Sequence, residues 1–156
     1  VNNGVYVPGF GVMFHGGTAW DATGATYRSN ETWFFTGTDW VLFSSSGPAV
    51  QDPMMVYRSG QNDLILHGGQ TPTGVGGALE QLGQTWRFDL STGVWTQLVT
   101  ATRPVNSLNT AQGLFAAMAY YNPNTGMVIV HGGNGANSSS STWQFDGTNW
   151  SNITTN

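Results

Sequence analysis

The stretch Leu64-Ile65-Leu66-His67-Gly68-Gly69 joins a short apolar run to the tripeptide His-Gly-Gly. The same pattern occurs twice more, at Val12-Met13-Phe14-His15-Gly16-Gly17 and at Val128-Ile129-Val130-His131-Gly132-Gly133. Each copy is followed by a Thr-Trp pair and then by a second tryptophan. The pairs are Thr32-Trp33, Thr85-Trp86 and Thr142-Trp143, and the second tryptophans are Trp40, Trp95 and Trp150. The 156-residue chain therefore consists of three copies of one unit.

Each unit is predicted to form four short antiparallel strands, because apolar runs alternate with Gly-, Pro-, Asn- and Asp-containing turns. The strands are predicted at residues 4–7, 11–15, 32–35 and 40–43, then at 54–57, 63–67, 85–89 and 94–99, and finally at 115–121, 127–131, 142–146 and 150–154. The Ala-rich patch at 114–119 is interpreted as part of a buried strand rather than a helix. The prediction is a single all-β domain whose units cover about 1–47, 48–103 and 104–156.

The repeat length is about fifty residues. Successive His-Gly-Gly tripeptides begin 52 and 64 residues apart (67−15 and 131−67), and a period near ~50 is that of kelch repeats. The residues also resemble the kelch family, with a strand ending in Gly-Gly, then an aromatic residue, then a tryptophan. The aromatic and tryptophan pairs are Phe34/Trp40, Phe88/Trp95 and Phe145/Trp150.

This resemblance implies a β-propeller made of four-stranded antiparallel blades. Kelch propellers typically have six or seven blades, so three blades form only half of a ring. We expect two chains to pair into a six-bladed homodimer. A fragment of a longer propeller, an engineered half-propeller and an open filament stay as alternatives.

The composition excludes several functional classes. The chain has no cysteine, only 8% charged residues and four scattered arginines in place of any basic cluster, so nucleic-acid binding is not expected. No apolar segment approaches the ~20 residues of a membrane span, so membrane insertion is not expected either. A Ser-, Thr- and Asn-rich chain with four Asn-x-Ser/Thr sequons favours a secreted or cell-surface location.

The three histidines all occupy the same position in the repeat. One interpretation is a ring of imidazoles that binds metal. The favoured interpretation is structural, because equivalent positions on separate blades lie too far apart for Zn–N bonds of ~2.1 Å. The His-Gly-Gly residues and the six tryptophans are therefore treated as blade markers, with the tryptophans filling the space between blades. No metal and no cofactor is predicted.

The sequence shows no enzyme motif. Asp39, Asp89 and Asp146 lie in or beside turns, where Asp is a common turn former, and the chain has neither a Gly-x-Ser-x-Gly elbow nor a P-loop. Copper enzymes related to kelch proteins need a Tyr-Cys crosslink, which a chain without cysteine cannot form. We therefore predict a protein that is not an enzyme.

The long connections between strands differ from unit to unit, and such loops usually carry the binding function. They are expected to emerge on one face of the domain and to present candidate binding residues there: Trp20, Asp21, Tyr27, Arg28, Glu80, Arg103 and Asn106. The resulting hypothesis is a binding or scaffold module that presents this face to a protein or glycan. A carbohydrate-active enzyme at the channel mouth and a purely architectural self-assembling unit are the alternatives.

Overall fold

A computed structural model gives the structure of residues 4–72, 77–105, 113–134 and 140–155. These residues form sixteen strands and no helix, so the predicted all-β fold class is confirmed. The strands, numbered in chain order, make three four-stranded antiparallel sheets and two two-stranded hairpins. Each four-stranded sheet comes from one of the repeated units.

The three sheets have the same strand order, in which neighbours in the chain are neighbours in the sheet. The first sheet contains β1 (Val5–Val7), β2 (Gly11–His15), β5 (Thr32–Phe35) and β6 (Trp40–Ser44). The second contains β7 (Met54–Arg58), β8 (Asp63–His67), β11 (Thr85–Asp89) and β12 (Val94–Leu98). The third contains β13 (Met118–Asn122), β14 (Met127–His131), β15 (Thr142–Phe145) and β16 (Trp150–Asn152).

Two apolar layers form the core, one on each side of the second sheet. The layer between the first and second sheets contains Val7, Met13, Leu64, Leu66 and Phe88. The layer between the second and third sheets contains Val56, Ile65, Val128, Val130 and Phe145. Strand β8 is buried along its whole length, which explains its continuous apolar sequence, whereas β2 and β14 are buried at alternate residues.

Each four-stranded sheet has two distinct faces, because successive side chains of a strand point to opposite sides. The tryptophan face carries the tryptophan that is the first or second residue of the fourth strand, namely Trp40, Trp95 or Trp150. The histidine face carries the histidine that ends the second strand, namely His15, His67 or His131. The histidine face of one sheet packs on the tryptophan face of the next. This order leaves the tryptophan face of the first sheet and the histidine face of the third sheet facing outward.

The observed strands agree with the predicted ones to within one or two residues at most ends, and the largest difference is in the third unit. The strand predicted from residue 115 begins at Met118, and Phe115 makes an isolated bridge to Asn134. Ala116 has a φ of 52°, a left-handed conformation that an extended strand does not contain. Only residues 118 and 119 of the patch at 114–119 therefore belong to the strand, although Leu114 and Ala117 are buried as predicted.

In the first sheet, the aromatic residue opposite the second tryptophan is Phe35, one residue after the Phe34 of the repeat pattern. Trp40 lies opposite Phe35 across β5 and β6, and the two ring centroids are 5.1 Å apart. Phe34 points to the other side of the sheet and packs in the first apolar layer. In the other sheets the aromatic residue of the repeat pattern does lie opposite the tryptophan, Phe88 with Trp95 and Phe145 with Trp150.

The prediction that Asp39 forms its turn is wrong. In the second and third sheets, Oδ1 of Asp89 and of Asp146 accepts hydrogen bonds from backbone N–H groups two or three residues later. In the first sheet this position is Thr36, whose hydroxyl accepts from the Asp39 N–H at 3.1 Å. The carboxylate of Asp39 accepts instead from the hydroxyl of Thr38.

Candidate functional site

The His-Gly-Gly tripeptide of the first sheet forms part of its contact with the second sheet. The Nδ1 atom of His15 is 2.9 Å from Oγ1 of Thr32, and its Nε2 atom is 3.0 Å from the carbonyl oxygen of Pro48. Trp95 of the second sheet covers the imidazole, with ring centroids 4.5 Å apart, and donates its indole N–H to the same Thr32 oxygen at 2.9 Å. We call this arrangement of histidine, threonine and next-sheet tryptophan the His-Thr-Trp junction.

The same junction joins the second sheet to the third. Nδ1 of His67 is 3.0 Å from Oγ1 of Thr85, and Trp150 donates to that oxygen at 2.9 Å. The rings of His67 and Trp150 are 4.9 Å apart. The two junctions show that a repeated histidine can be explained by packing between sheets.

The hydrogen bonds define the protonation of His15. A carbonyl oxygen can only accept, so Nε2 carries the proton and Nδ1 of the neutral ring accepts from the Thr32 hydroxyl. The threonine oxygen is then free to accept from Trp95. Burial lowers the pKa of His15 to about 4, against a weaker upward effect of the Pro48 carbonyl. Burial, aided by the positive charge of Arg103, lowers the pKa of His67 to about 3.

The two glycines that follow the histidine allow the backbone of the next connection to come close. The N–H of Gly17 donates to the carbonyl oxygen of Val50 at 2.7 Å, and that of Gly69 donates to Leu114 at 3.0 Å. A Cβ on Gly16 would lie 2.2 Å from the Val50 oxygen. Across the described ranges, His, Asp and Glu form no group of three that could hold a metal ion.

Two small hairpins extend from the ends of the second strands, in segments that the sequence analysis treated as loops. The first pairs β3 (Thr18–Trp20) with β4 (Thr26–Arg28), and the second pairs β9 (Gln70–Pro72) with β10 (Leu79–Gln81). In the first hairpin Oδ1 of Asp21 accepts from Thr23 and Ala25 and closes the turn. The Thr23 hydroxyl and these N–H groups lower the pKa of the Asp21 carboxyl.

The connection from the first sheet to the second runs between the two hairpins. Gln51 exchanges two backbone hydrogen bonds with Gln70, at 2.9 and 2.8 Å. The side chain of Gln51 accepts from Thr18 and donates to the side chain of Gln70. These bonds fix the spacing of the hairpins.

A cavity of about 580 Å³ lies between the hairpins, and we call it the hairpin pocket. Its lining comes from the first hairpin, the second hairpin and the connection between them. The lining residues are Asp21, Ala25, Thr26, Tyr27, Arg28, Ala49, Thr71, Pro72, Gly77 and Leu79. Tyr27 and Leu79 are exposed, which gives the pocket apolar surface at its edge.

Arg28 is the distinctive polar group of the hairpin pocket. Its Nε atom is buried and has no hydrogen-bond partner among the described residues. Elsewhere the guanidinium groups are paired: Arg58 binds the buried Asp63 through both oxygens at 2.8 and 2.7 Å, and Arg87 binds it at 2.7 Å. A buried donor without an acceptor is costly, so an acceptor supplied by a ligand would stabilise the site.

The structure brings together only part of the predicted binding set. Asp21, Tyr27 and Arg28 line the hairpin pocket, and Trp20 is exposed on the same hairpin. Glu80 lies on the second hairpin but does not line the pocket. Arg103 lines a different cavity of about 480 Å³, beside the end of the second sheet. Asn106 lies outside the described residues.

Sequence reasoning missed Ala49, Thr71, Pro72 and Leu79, which are small or apolar and carry no chemical signal of their own. A signal for the first hairpin was present, because the turn Asp21-Ala22-Thr23-Gly24 lies between two alternating segments. The second hairpin had no comparable signal. The pocket depends on the approach of the two hairpins and therefore on the tertiary structure.

The fold defines the class as an all-β protein with repeated four-stranded antiparallel sheets. The comparisons agree at this level: the chain is similar to the solved structure described as "Structure of YjhT", with a TM-score of 0.61 and 14% sequence identity. The match covers 97% of this chain and 53% of that one, so this chain spans about half the length of its neighbour. At this identity the likeness shows the fold alone.

No family model matches the sequence, and no curated protein matches it. The part of the chain that the structure describes contains no helix that could span a membrane.

Proposed function

We propose that this protein is a binding module without enzymatic activity, built as a kelch-like half-propeller, which binds a glycan or protein ligand on its hairpin face. The observation that carries the proposal is the hairpin pocket, where the buried Nε of Arg28 has no acceptor among the residues that the structure describes. The remaining part of the proposal is that a second chain completes a six-bladed ring. The composition supports a secreted or cell-surface location for this module.

The size and lining of the pocket favour a glycan over a flat protein surface. Ligand pockets for small molecules have volumes of roughly 300–1,000 Å³, and the hairpin pocket falls within this range. The exposed rings of Tyr27 and Trp20 offer flat apolar surfaces, and Arg28 offers a donor for a hydroxyl or carboxylate oxygen. This combination binds sugars through stacking and hydrogen bonds.

The lining does not favour acid–base catalysis. Among the described residues of the hairpin pocket, Asp21 is the single carboxylate, and its Oδ1 atom is occupied by the turn. Glycoside hydrolysis commonly needs two carboxyl groups that face each other. The geometry therefore supports binding better than turnover.

A glycan array followed by calorimetry on the best ligand tests the proposal. We expect Arg28→Gln and Tyr27→Ala each to weaken binding at least about tenfold, because each removes a group that lines the pocket. Glu80→Gln is the matched control, since Glu80 is exposed on the neighbouring hairpin outside the pocket. An array without hits, or unchanged affinity in both pocket variants, would refute glycan binding at this site.

A further inference from the structure

The His-Thr-Trp junction occurs twice inside the chain, and its two halves also occur unpaired at the two ends of the row of sheets. On the third sheet, Nδ1 of His131 is 2.9 Å from Oγ1 of Thr142, as in the complete junctions. Within the described ranges no tryptophan covers this pair, and His131 is exposed. The third sheet therefore presents the His-Thr half of a junction.

The first sheet presents the other half. Trp40 occupies the position of Trp95 and Trp150, but 56% of its surface is exposed, against 6% and 1% for its counterparts. No described residue accepts a hydrogen bond from its indole N–H. The expectation that Trp40 fills a space between sheets is thus not met within one chain.

The residues around Trp40 match those that are buried in the other sheets. Phe14 and Phe35 contact the Trp40 ring, with centroids 5.3 and 5.1 Å away. Their counterparts in the second sheet, Leu66 and Phe88, are fully buried against the first sheet. The tryptophan face of the first sheet thus has the composition of a buried face but lies at the surface.

The histidine face of the third sheet is also apolar for an outer face. Met118 and Tyr120 are 71% and 62% exposed, and Ile129 is half-buried between them and Gln144. Contiguous apolar surface of this kind marks interaction sites in soluble proteins. The outer faces of the first and third sheets therefore each carry one half of the His-Thr-Trp junction, whose geometry is known from the two complete copies.

We infer that a second copy of this chain docks on both ends, with Trp40 of each copy seated on His131 and Thr142 of the other. Each docked Trp40 donates its indole N–H to Thr142 and stacks on His131, as Trp95 does at Thr32 and His15. The inference rests on the proposed half-propeller, and it names the residues that close the ring. The match to half of a longer solved chain supports it, since one chain of about twice this length has this fold.

Each junction is head-to-tail, and two copies are enough to close the ring. One junction joins the first sheet of one copy to the third sheet of its partner, and the second junction joins the remaining two ends. The copies are then related by a two-fold axis. A pair with Trp40 facing Trp40 would instead leave both His-Thr halves uncovered.

Sedimentation equilibrium on the 156-residue chain measures the mass. We expect twice the 16.7 kDa of one chain, and we expect Trp40→Ala to weaken the dimer about 1,000-fold because each of two junctions loses a buried tryptophan. Trp20→Ala is the matched control, since Trp20 is also exposed, at 67%, but lies on the first hairpin. A monomeric wild type, an open polymer, or a Trp40→Ala variant that stays dimeric would overturn the inference.

Mixing variants tests the head-to-tail geometry. Trp40→Ala and His131→Ala are each expected to be monomeric at a concentration where the wild type is dimeric. Their equimolar mixture should recover dimers, because Trp40 of one variant meets His131 of the other at one of the two junctions. An interface of Trp40 against Trp40 predicts instead that His131→Ala alone stays dimeric and that mixing forms no heterodimer, and that result would contradict the proposed pairing.

The tests of dimerisation and the test of glycan binding can succeed or fail independently. Circular dichroism checks that Trp40→Ala remains folded, as expected for a residue that is exposed in the single chain. If this monomeric variant still binds the glycan, the ring is not needed for binding and both proposals stand. If the wild type is dimeric but binds no glycan, the junction stands and the proposed binding function fails.

Discussion

At the scale of single residues, the two buried histidines are the groups most sensitive to pH. His15 and His67 are neutral in the folded chain, with pKa values lowered by burial to about 4 and about 3. In the unfolded chain an ordinary histidine has a pKa near ~6.5. Protons therefore bind preferentially to the unfolded chain once the pH falls below that value.

The free energy of unfolding should fall with pH below about 6.5, by roughly 1.4 kcal/mol per pH unit for each of the two histidines. The loss for each histidine ends where the folded pKa is reached, and above about pH 6.5 the two residues contribute no pH dependence. Urea unfolding between pH 7 and 5 measures the slope. The carboxyls of Asp21, Asp89 and Asp146 have lowered pKa values and stay ionised in this window.

His15→Gln should remove about half of this slope, even where it also lowers stability at pH 7. A wild type with equal stability at pH 7 and pH 5 would contradict the neutral, buried state of both rings.

At the scale of elements, the Gly-Gly pair decides how closely a connection passes the end of a strand. Gly68 has a φ of +71°, and a Cβ there would lie 1.9 Å from the carbonyl oxygen of Leu114. Gly126, in the turn between β13 and β14, has a φ of +73°, and no atom of the described ranges lies within 4 Å of that position. The two glycines thus share a backbone conformation but differ in their surroundings.

Gly126→Ala should cost about 1–2 kcal/mol, the strain of a left-handed conformation. Gly68→Ala should cost at least about 3 kcal/mol, because the methyl group also collides with backbone. Thermal or urea unfolding of the two variants measures the difference. Equal losses would show that the connection at Leu114 moves away at little cost.

The elements also show what the sequence could predict. The ends of β2, β8, β11 and β14 match the prediction, because an apolar run before Gly-Gly and a Thr-Trp start are local signals. The repeat pattern could not identify Phe35 as the partner of Trp40, since adjacent aromatic residues at 34 and 35 satisfy the same pattern and only the register distinguishes them. The hairpin pocket was missed because its walls meet through Gln51 and Gln70, whose pairing has no local signal.

At the scale of the whole molecule, the three sheets differ in how much of their surface is buried. The second sheet is covered on both sides, while the first and third each leave one apolar face exposed. The repeat count in the sequence indicates such uncovered faces, because three blades form only half of a ring. It could not predict which side chains stay uncovered, because exposure depends on the direction in which the sheets follow one another.

If association covers these faces, thermal stability must depend on protein concentration. Each tenfold rise in concentration adds about 1.4 kcal/mol to a dimer that unfolds to single chains, and this raises the Tm by about 3 °C for a protein of this size. Differential scanning calorimetry of the wild type over two decades of concentration checks this. Trp40→Ala should show a constant Tm, and a constant Tm in both proteins would argue against coupled folding and association.

The segment from Pro48 to Gln51 contacts both the His-Gly-Gly tripeptide of the first sheet and the hairpin pocket. The carbonyl oxygens of Pro48 and Val50 accept from His15 and Gly17, while Ala49 between them lines the hairpin pocket. Ala25 and Thr26 of the first hairpin and Leu79 of the second also line the pocket, but the carbonyl groups that hold His15 and Gly17 belong to Pro48 and Val50. Protein engineers who want a new ligand specificity can therefore randomise Ala25, Thr26 and Leu79 and leave residues 48–51 unchanged, so that the library varies the pocket without altering the way the sheets assemble.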